Sequence, residues 1–291
     1  MTDPRISARA WRSVAAGCIA LAALAATSAM AGQGLKQKSR TVATSSSDSR
    51  EDSVRVRCGK GTRAVSGGFR TTRRDDPTLL TVSESRPRAA RRWSASAWTN
   101  PFATTGSLTV LAYCRDEKVK LRSRSIEVGT AERGTVSARC PRGMRVVSGG
   151  FEAEERNLNA PTTPIMFVTT SRKLGARGWQ VSAVNNGSPG TLTAFARCRK
   201  GPKLKTAQAS AMIGNLAPDL PEADLSPRCR KRHRAVAGGF LTSPGSGTIV
   251  HATVRASQRR SGRRWNIYMT AAGIAPSTVT AYTYCERKRR R

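Results

Sequence analysis

One motif written three times constrains this chain more than any other feature. Cys58 opens the run CGKGTRAVSGGF, which ends at Phe69. Cys140 opens CPRGMRVVSGGF, ending at Phe151, and Cys229 opens CRKRHRAVAGGF, ending at Phe240. Each phenylalanine is followed by a tryptophan, at Trp93, Trp179 and Trp265. Each copy then closes on an alternating run into a second cysteine: LTVLAYC to Cys114, LTAFARC to Cys198 and VTAYTYC to Cys285. The cysteine separations inside the copies are 56, 58 and 56 residues. Ordered landmarks repeated three times establish an internal triplication.

The local pattern reads as β-structure. Trp93-Ser-Ala-Ser-Ala-Trp98, Trp179 to Ala183 and Trp265 to Met269 alternate by two, as do the closing runs. Such alternation marks half-buried antiparallel strands. The expectation is an all-β fold of three tandem antiparallel sheet repeats, with four or five strands each. A short helix over 207–213 (AQASAMI) is the single exception. A unit of this size buries too little apolar surface to stand securely alone. Three sheets covering one another about a pseudo-threefold axis, as in a β-prism, solve that problem, and three beads on a string are the alternative. The spacing predicts the disulfides Cys58–Cys114, Cys140–Cys198 and Cys229–Cys285, one per repeat. In the chain-entropy account each such bridge contributes roughly 4 kcal/mol. Bridges between copies are the rival pairing.

The double glycines Gly67-Gly68, Gly149-Gly150 and Gly238-Gly239 exclude a side chain at one place in every copy. A bulge or the close approach of another backbone accounts for that. Phe69, Phe151, Phe240 and the three register-matched tryptophans read as core. Trp98 has no counterpart and reads equally well as packing or as an exposed contact. Asn185 and Asn186 read as turn formers.

Residues 1–31 read as a signal peptide, with Arg5, Arg9 and Arg12 ahead of the apolar run Val14 to Ala26 and small residues up to Ala31. Removing that segment takes Cys18 with it and leaves six cysteines, an even set that suits an oxidising, exported location. The remaining organisation reads as a disordered polar leader over 32–51, repeats over 52–118, 134–200 and 223–286, and a basic tail over 287–291. The segment around Pro202, Pro218 and Pro221 reads as a spacer. The run from Cys140 to Cys198 resembles a repeat seen in exported actinobacterial proteins of unknown function, through Arg-Val-Val-Ser-Gly-Gly-Phe, Trp-Gln-Val and the alternating run into the last cysteine. That resemblance implies export and disulfides and implies no chemistry.

The chain carries 51 Lys plus Arg against 18 Asp plus Glu, a net charge of +33, and only two histidines, His233 and His251. Arginine outnumbers lysine, which suits bidentate grips on phosphate or carboxylate. Candidate anion contacts are Arg91, Arg92, Arg172, Lys173, Arg230, Lys231, Arg232, Arg263 and Arg264. Basic residues beside the cysteines form an end-cap if all three disulfides lie at one end. The expected partners are anionic cell-wall polymers, glycans or anionic membrane surfaces, met through three related surfaces. Sequence-specific nucleic-acid binding is not expected, since no recognition helix, zinc finger or RNP pattern is present. No catalytic motif, metal-ligand spacing or cofactor signature appears. The alternative to a secreted or envelope-associated binding protein is a cell-wall or glycan hydrolase using Glu152 or Glu154.

Overall fold

In a computed structural model, the structure describes residues 34–44, 51–72, 80–99, 106–155, 166–214, 222–244, 252–271 and 276–288. Residues 1–31, read above as a signal peptide, His251 and the last three arginines of the tail lie outside them. Repeat one forms β1 (Lys36–Thr44), β2 (Glu51–Arg57), β3 (Arg63–Thr71), β4 (Leu80–Ala89), β5 (Arg92–Thr99) and β6 (Gly106–Arg115). Repeat two forms β7 (Lys120–Val128), β8 (Arg133–Arg139), β9 (Arg145–Glu155), β10 (Met166–Leu174), β11 (Gly178–Asn185) and β12 (Gly190–Arg199). Repeat three forms β13 (Lys205–Ile213), β14 (Glu222–Leu225), β15 (His233–Pro244), β16 (Ala252–Ser261), β17 (Arg264–Ala271) and β18 (Ser277–Arg287). The repeat therefore has six strands rather than four or five.

The extra strand is the first of each copy. β1 lies where a disordered leader was expected, β7 in the segment taken to join the first two repeats, and β13 where a spacer and a short helix were expected. Each of these strands hydrogen-bonds along its length to the closing strand of its own repeat: Lys36 faces Cys114, Lys120 faces Cys198 and Lys205 faces Cys285. They are sheet edges, largely exposed on both faces in β1 and β7 and half-buried on one face in β13. The polar strands β1 and β7 have no clear apolar alternation to betray them, and in β13 pairing overrides the weak helical preference of the alanines in 207–213.

The fold is all-β, with three six-stranded antiparallel sheets. Sheet I runs β1-β6-β3-β16-β17-β14, sheet II runs β2-β5-β4-β9-β12-β7, and sheet III runs β13-β18-β15-β10-β11-β8. Each sheet takes three strands from one repeat and three from another, and the sharing is cyclic. A repeat is thus a corner between two sheets rather than a sheet. Separate beads are excluded by this arrangement. The disulfides have the expected pairing, with Cα separations of 5.7, 5.5 and 5.7 Å. Each joins the two sheets that meet at its own corner.

The Gly-Gly-Phe triplet builds corner, seam and axis in turn. A Cβ on Gly67, Gly149 or Gly238 would overlap the ring of Trp93, Trp179 or Trp265 from the other wall of the same corner. A Cβ on Gly68, Gly150 or Gly239 would meet the carbonyl oxygen of Ser257, Ser85 or Ser171, on the strand contributed by another repeat. Those serines accept the indole N–H: Trp93 to Ser85 at 3.2 Å, Trp179 to Ser171 at 3.0 Å and Trp265 to Ser257 at 3.1 Å. The phenylalanines meet at the centre, with Phe69–Phe151 centroids 6.3 Å apart and Phe151–Phe240 6.1 Å apart, both edge to face. Such contacts add about 0.5–1.5 kcal/mol to the burial itself. Trp98 is buried packing.

The seams between repeats are short. β3 meets β16, β9 meets β4 and β15 meets β10 through only two residue pairs each. Beyond the pairs the strands part, and a side chain from the closing strand seals the gap. In sheets I and III it is a tyrosine whose hydroxyl accepts a backbone N–H: Arg259 to Tyr113 and Lys173 to Tyr284, both 2.7 Å. In sheet II the N–H position is Pro87, which has none to give. The tyrosine position there is Arg197, whose guanidinium donates instead to the Ala89 carbonyl. Burial pushes the Arg197 pKa down to about 10, with the Arg63 charge adding to the effect.

Candidate anion-binding cleft

The nine predicted anion contacts divide into three groups. Arg91 and Arg263 are structural. The Arg91 Nη2 donates to the Cys58 carbonyl at 2.9 Å and the Arg263 Nη2 to the Cys229 carbonyl at 2.8 Å, and in repeat two Arg177 reaches the Cys140 carbonyl at 3.1 Å. One arginine per repeat thus fixes the backbone beside the disulfide. Arg92 and Arg264 begin β5 and β17 and are exposed, on different sheets. Arg172, Lys173 and Arg230 come together in one cleft of about 870 Å³, with Lys231 and Arg232 exposed on the turn beside it.

That cleft lies against sheet III and the Cys229–Cys285 disulfide. It is lined by six cations, Arg172, Lys173, Lys203, Lys205, Arg228 and Arg230, together with His233, Gln208, Tyr282 and Tyr284. Among the described residues no carboxylate lines it. Tyr282 and Tyr284 stack at 6.4 Å with planes 6° apart. The Arg172 guanidinium lies 5.9 Å over the Tyr282 ring and donates to its hydroxyl at 3.1 Å. The Lys173 ammonium lies 5.8 Å over Tyr284. Burial lowers the Lys173 pKa, and the neighbouring Lys203 charge lowers it further. The Lys173 ammonium donates to the Leu204 carbonyl at 3.5 Å, and an anion bound beside it would relieve the repulsion from Lys203.

Lys203, Lys205, Arg228 and the tyrosines were not among the predicted contacts. Lys203 and Lys205 sat in a segment read as spacer. A partial signal for them existed in the alternation of Ala207, Ala209, Ala211 and Ile213 just after Lys205, and the buried Leu35, Val119 and Leu204 show that each repeat starts earlier than its first cysteine. A second basic cleft of about 540 Å³, lined by Arg234, Arg259, Arg263, Arg264 and Lys288, shares Arg228 with the first.

The inner part of the basic end-cap is ion-paired. Arg115, Arg199 and Glu286 each follow the second cysteine of a repeat, and they converge on the pseudo-threefold axis. Arg115 lies 3.0 Å, Arg199 2.6 Å and Arg234 2.9 Å from Glu286, and Glu117 pairs with both Arg115 and Arg199. Burial works against the Glu286 charge, but the three guanidinium groups outweigh it and hold its pKa low. The end is zoned, with an ion-paired centre and an open basic rim around repeat three.

The acidic residues form a different cluster. At the β4–β9 seam Glu84 faces Glu152, where the other seams place Ala256 against Arg70 and Thr170 against Leu241. Glu84 is buried and accepts from Ser94 and from Arg88 at 2.7 Å, and Arg86 lies 3.1 Å from Glu84 and 2.5 Å from Glu152. Burial, opposed by Arg86, and contact with Glu84 push the Glu152 pKa up to about 7. Glu84 and Glu152 are therefore direct neighbours across the seam, and Arg86 engages both. Glu154 is exposed two residues on. Asn185 is a turn former, its amide donating to the carbonyls of Val128, Gly129 and Ser188.

Among the described residues no His, Cys, Asp and Glu group could hold a metal, and no helix is long and apolar enough to cross a membrane. No protein-family model and no curated protein matches the chain.

Proposed function

We propose that this is an exported, non-catalytic protein that binds anionic polymers outside the cell through the basic cleft on sheet III. The single observation that carries the proposal is that cleft: six cations around an open volume of about 870 Å³ with no carboxylate on its walls among the described residues. Three disulfides and the apolar N-terminal run support an oxidising location. Binding of this kind is led by counter-ion release and weakens steeply with salt.

Retention on heparin, DNA and anionic cell-wall columns tests the reading. The protein is expected to bind at low salt and elute as salt rises. Lys203→Glu combined with Arg228→Glu, both at exposed positions, is expected to elute at clearly lower salt. Unchanged elution of that variant, or passage of the native protein through every column, contradicts the proposal. The hydrolase alternative has less support, because Glu152 is engaged by Glu84 and Arg86 at a seam between repeats.

A further inference from the structure

The architecture is threefold, but its basic loops are not equivalent. The turn after the first cysteine reads Gly59-Lys60-Gly61-Thr62 in repeat one and Pro141-Arg142-Gly143-Met144 in repeat two. In repeat three it reads Arg230-Lys231-Arg232-His233. Gly61 and Gly143 have φ of 77° and 75°, in the left-handed region where glycine is favoured. Arg232 occupies the same place with φ of 62°. A bulky side chain there is an outlier that other constraints must hold in place. The turn is closed by the His233 N–H to the Arg230 carbonyl at 3.1 Å, and the Arg232 carbonyl accepts from the Lys288 N–H at 2.8 Å. An arginine thus stands where the backbone is best served by glycine, beside the cleft and nowhere else in the triplication.

The aromatic position differs in the same sense. Tyr282 is half-exposed and hydroxylated, while its equivalents Leu111 and Phe195 are buried hydrocarbon. The cleft walls also favour charge over hydroxyl recognition. Among the side chains lining it Gln208 is the only amide, against six cations. That balance suits a ligand with closely spaced full charges rather than one read through sugar hydroxyls. Arg228 borders both basic clefts, so the cationic surface continues past the turn and fits a chain rather than a compact ion.

We infer that the protein has one recognition site, not three: the repeat-three turn Arg230–His233 and the sheet III cleft take a linear polymer of closely spaced phosphate groups, and the corresponding turns of repeats one and two take none. This rests on the polyanion-binding reading and narrows it to a site, a stoichiometry and a ligand chemistry. The phosphates are gripped by the guanidinium groups of Arg228, Arg230 and Arg232 and by Lys203 and Lys205.

The test is titration of the intact protein with a short single-stranded oligodeoxynucleotide, with inorganic polyphosphate and with a heparin fragment of similar charge, at several salt concentrations. The expected result is one phosphate polymer per chain, with Arg230→Glu weakening binding by about tenfold or more at low salt and Arg232→Gly reducing the salt slope by about one. Lys60→Gln and Arg142→Gln, in the turns of the other repeats, are expected to change neither quantity. Arg232→Gly installs the residue the other repeats carry, so loss of binding there is not loss of folding. Equal binding of oligonucleotide and polyphosphate assigns recognition to the phosphate chain. Preference for the oligonucleotide assigns an added contribution to base stacking on Tyr282. Three polymers per chain, or equal losses from Lys60→Gln, Arg142→Gln and Arg230→Glu, overturn the single site. Binding of the heparin fragment with neither phosphate polymer overturns the ligand chemistry. Binding of nothing by the native protein overturns the underlying function instead.

Discussion

The three residues Gly-Gly-Phe are each fixed by a different neighbour: a tryptophan ring, a serine carbonyl and a phenylalanine of another repeat. Gly150→Ala puts a methyl against the Ser85 carbonyl, on backbone that cannot step aside, and is expected to destabilise by about 1–3 kcal/mol. A urea titration measures it. A second detail is a defect in the symmetry. Val65, Val147 and Val236 are the extra residues of equivalent bulges. The Ser66 hydroxyl donates to the Val236 carbonyl at 2.5 Å and the Ser148 hydroxyl to the Val65 carbonyl at 2.6 Å. The third member of this ring is Ala237, which has no hydroxyl for Val147. Ala237→Ser is therefore expected to stabilise by about 1 kcal/mol, read as a higher urea midpoint. Arg232→Gly is expected to stabilise by a similar amount, about 1 kcal/mol, as it weakens polyanion binding.

The seams are where the strands carry testable energetics. Tyrosine at 113 and 284 works because an N–H faces it, and arginine at 197 works because Pro87 offers none. Arg197→Tyr is expected to cost about 1–3 kcal/mol by leaving a buried hydroxyl without its donor, and adding Pro87→Lys is expected to recover most of that loss. A double-mutant cycle separates this from simple repacking. The β4–β9 seam also sets a pH dependence. Folding raises the Glu152 pKa from its usual 4.5 to about 7, so the folded state holds the proton more tightly. That contribution is complete below the ordinary carboxylate range and is lost as pH rises through about 7. Unfolding free energy should fall over that interval, and Glu152→Gln should flatten the fall. Much of this was readable in advance. Period-two alternation and the repeated cysteines give the strands, the disulfides and the buried Phe and Trp. The edge strands were hard to read, because β1 and β7 are too polar to show an apolar period and the alternating alanines of β13 read equally well as a short helix. The seams were not readable either, since two residue pairs between distant repeats leave no local pattern. The cleft was half readable: Arg172, Lys173 and Arg230 were legible as a basic excess, whereas Lys203 and Lys205 enter through the unseen edge strand.

The chain as a whole is held by exchange. Every sheet needs strands from two repeats, and the three exchanges close a ring. Each disulfide then ties the two walls of one corner, so removing Cys140–Cys198 by serine substitution is expected to cost roughly 2–5 kcal/mol without changing the strand order. Cyclic sharing also explains how a sequence repeat can diverge at its surface, as the Arg230–His233 turn does, while the cores stay alike. The same ring implies that no repeat is a domain. The direct measurement is urea unfolding of the intact chain beside a chain ending at residue 200, after the second repeat. Cyclic exchange predicts one cooperative transition for the intact protein and no cooperative unfolding for the shortened one, whose sheets I and III each lack three strands. Cooperative unfolding of the shortened chain, with a denaturant dependence in proportion to its length, would show that repeats fold independently and would contradict the shared-sheet architecture.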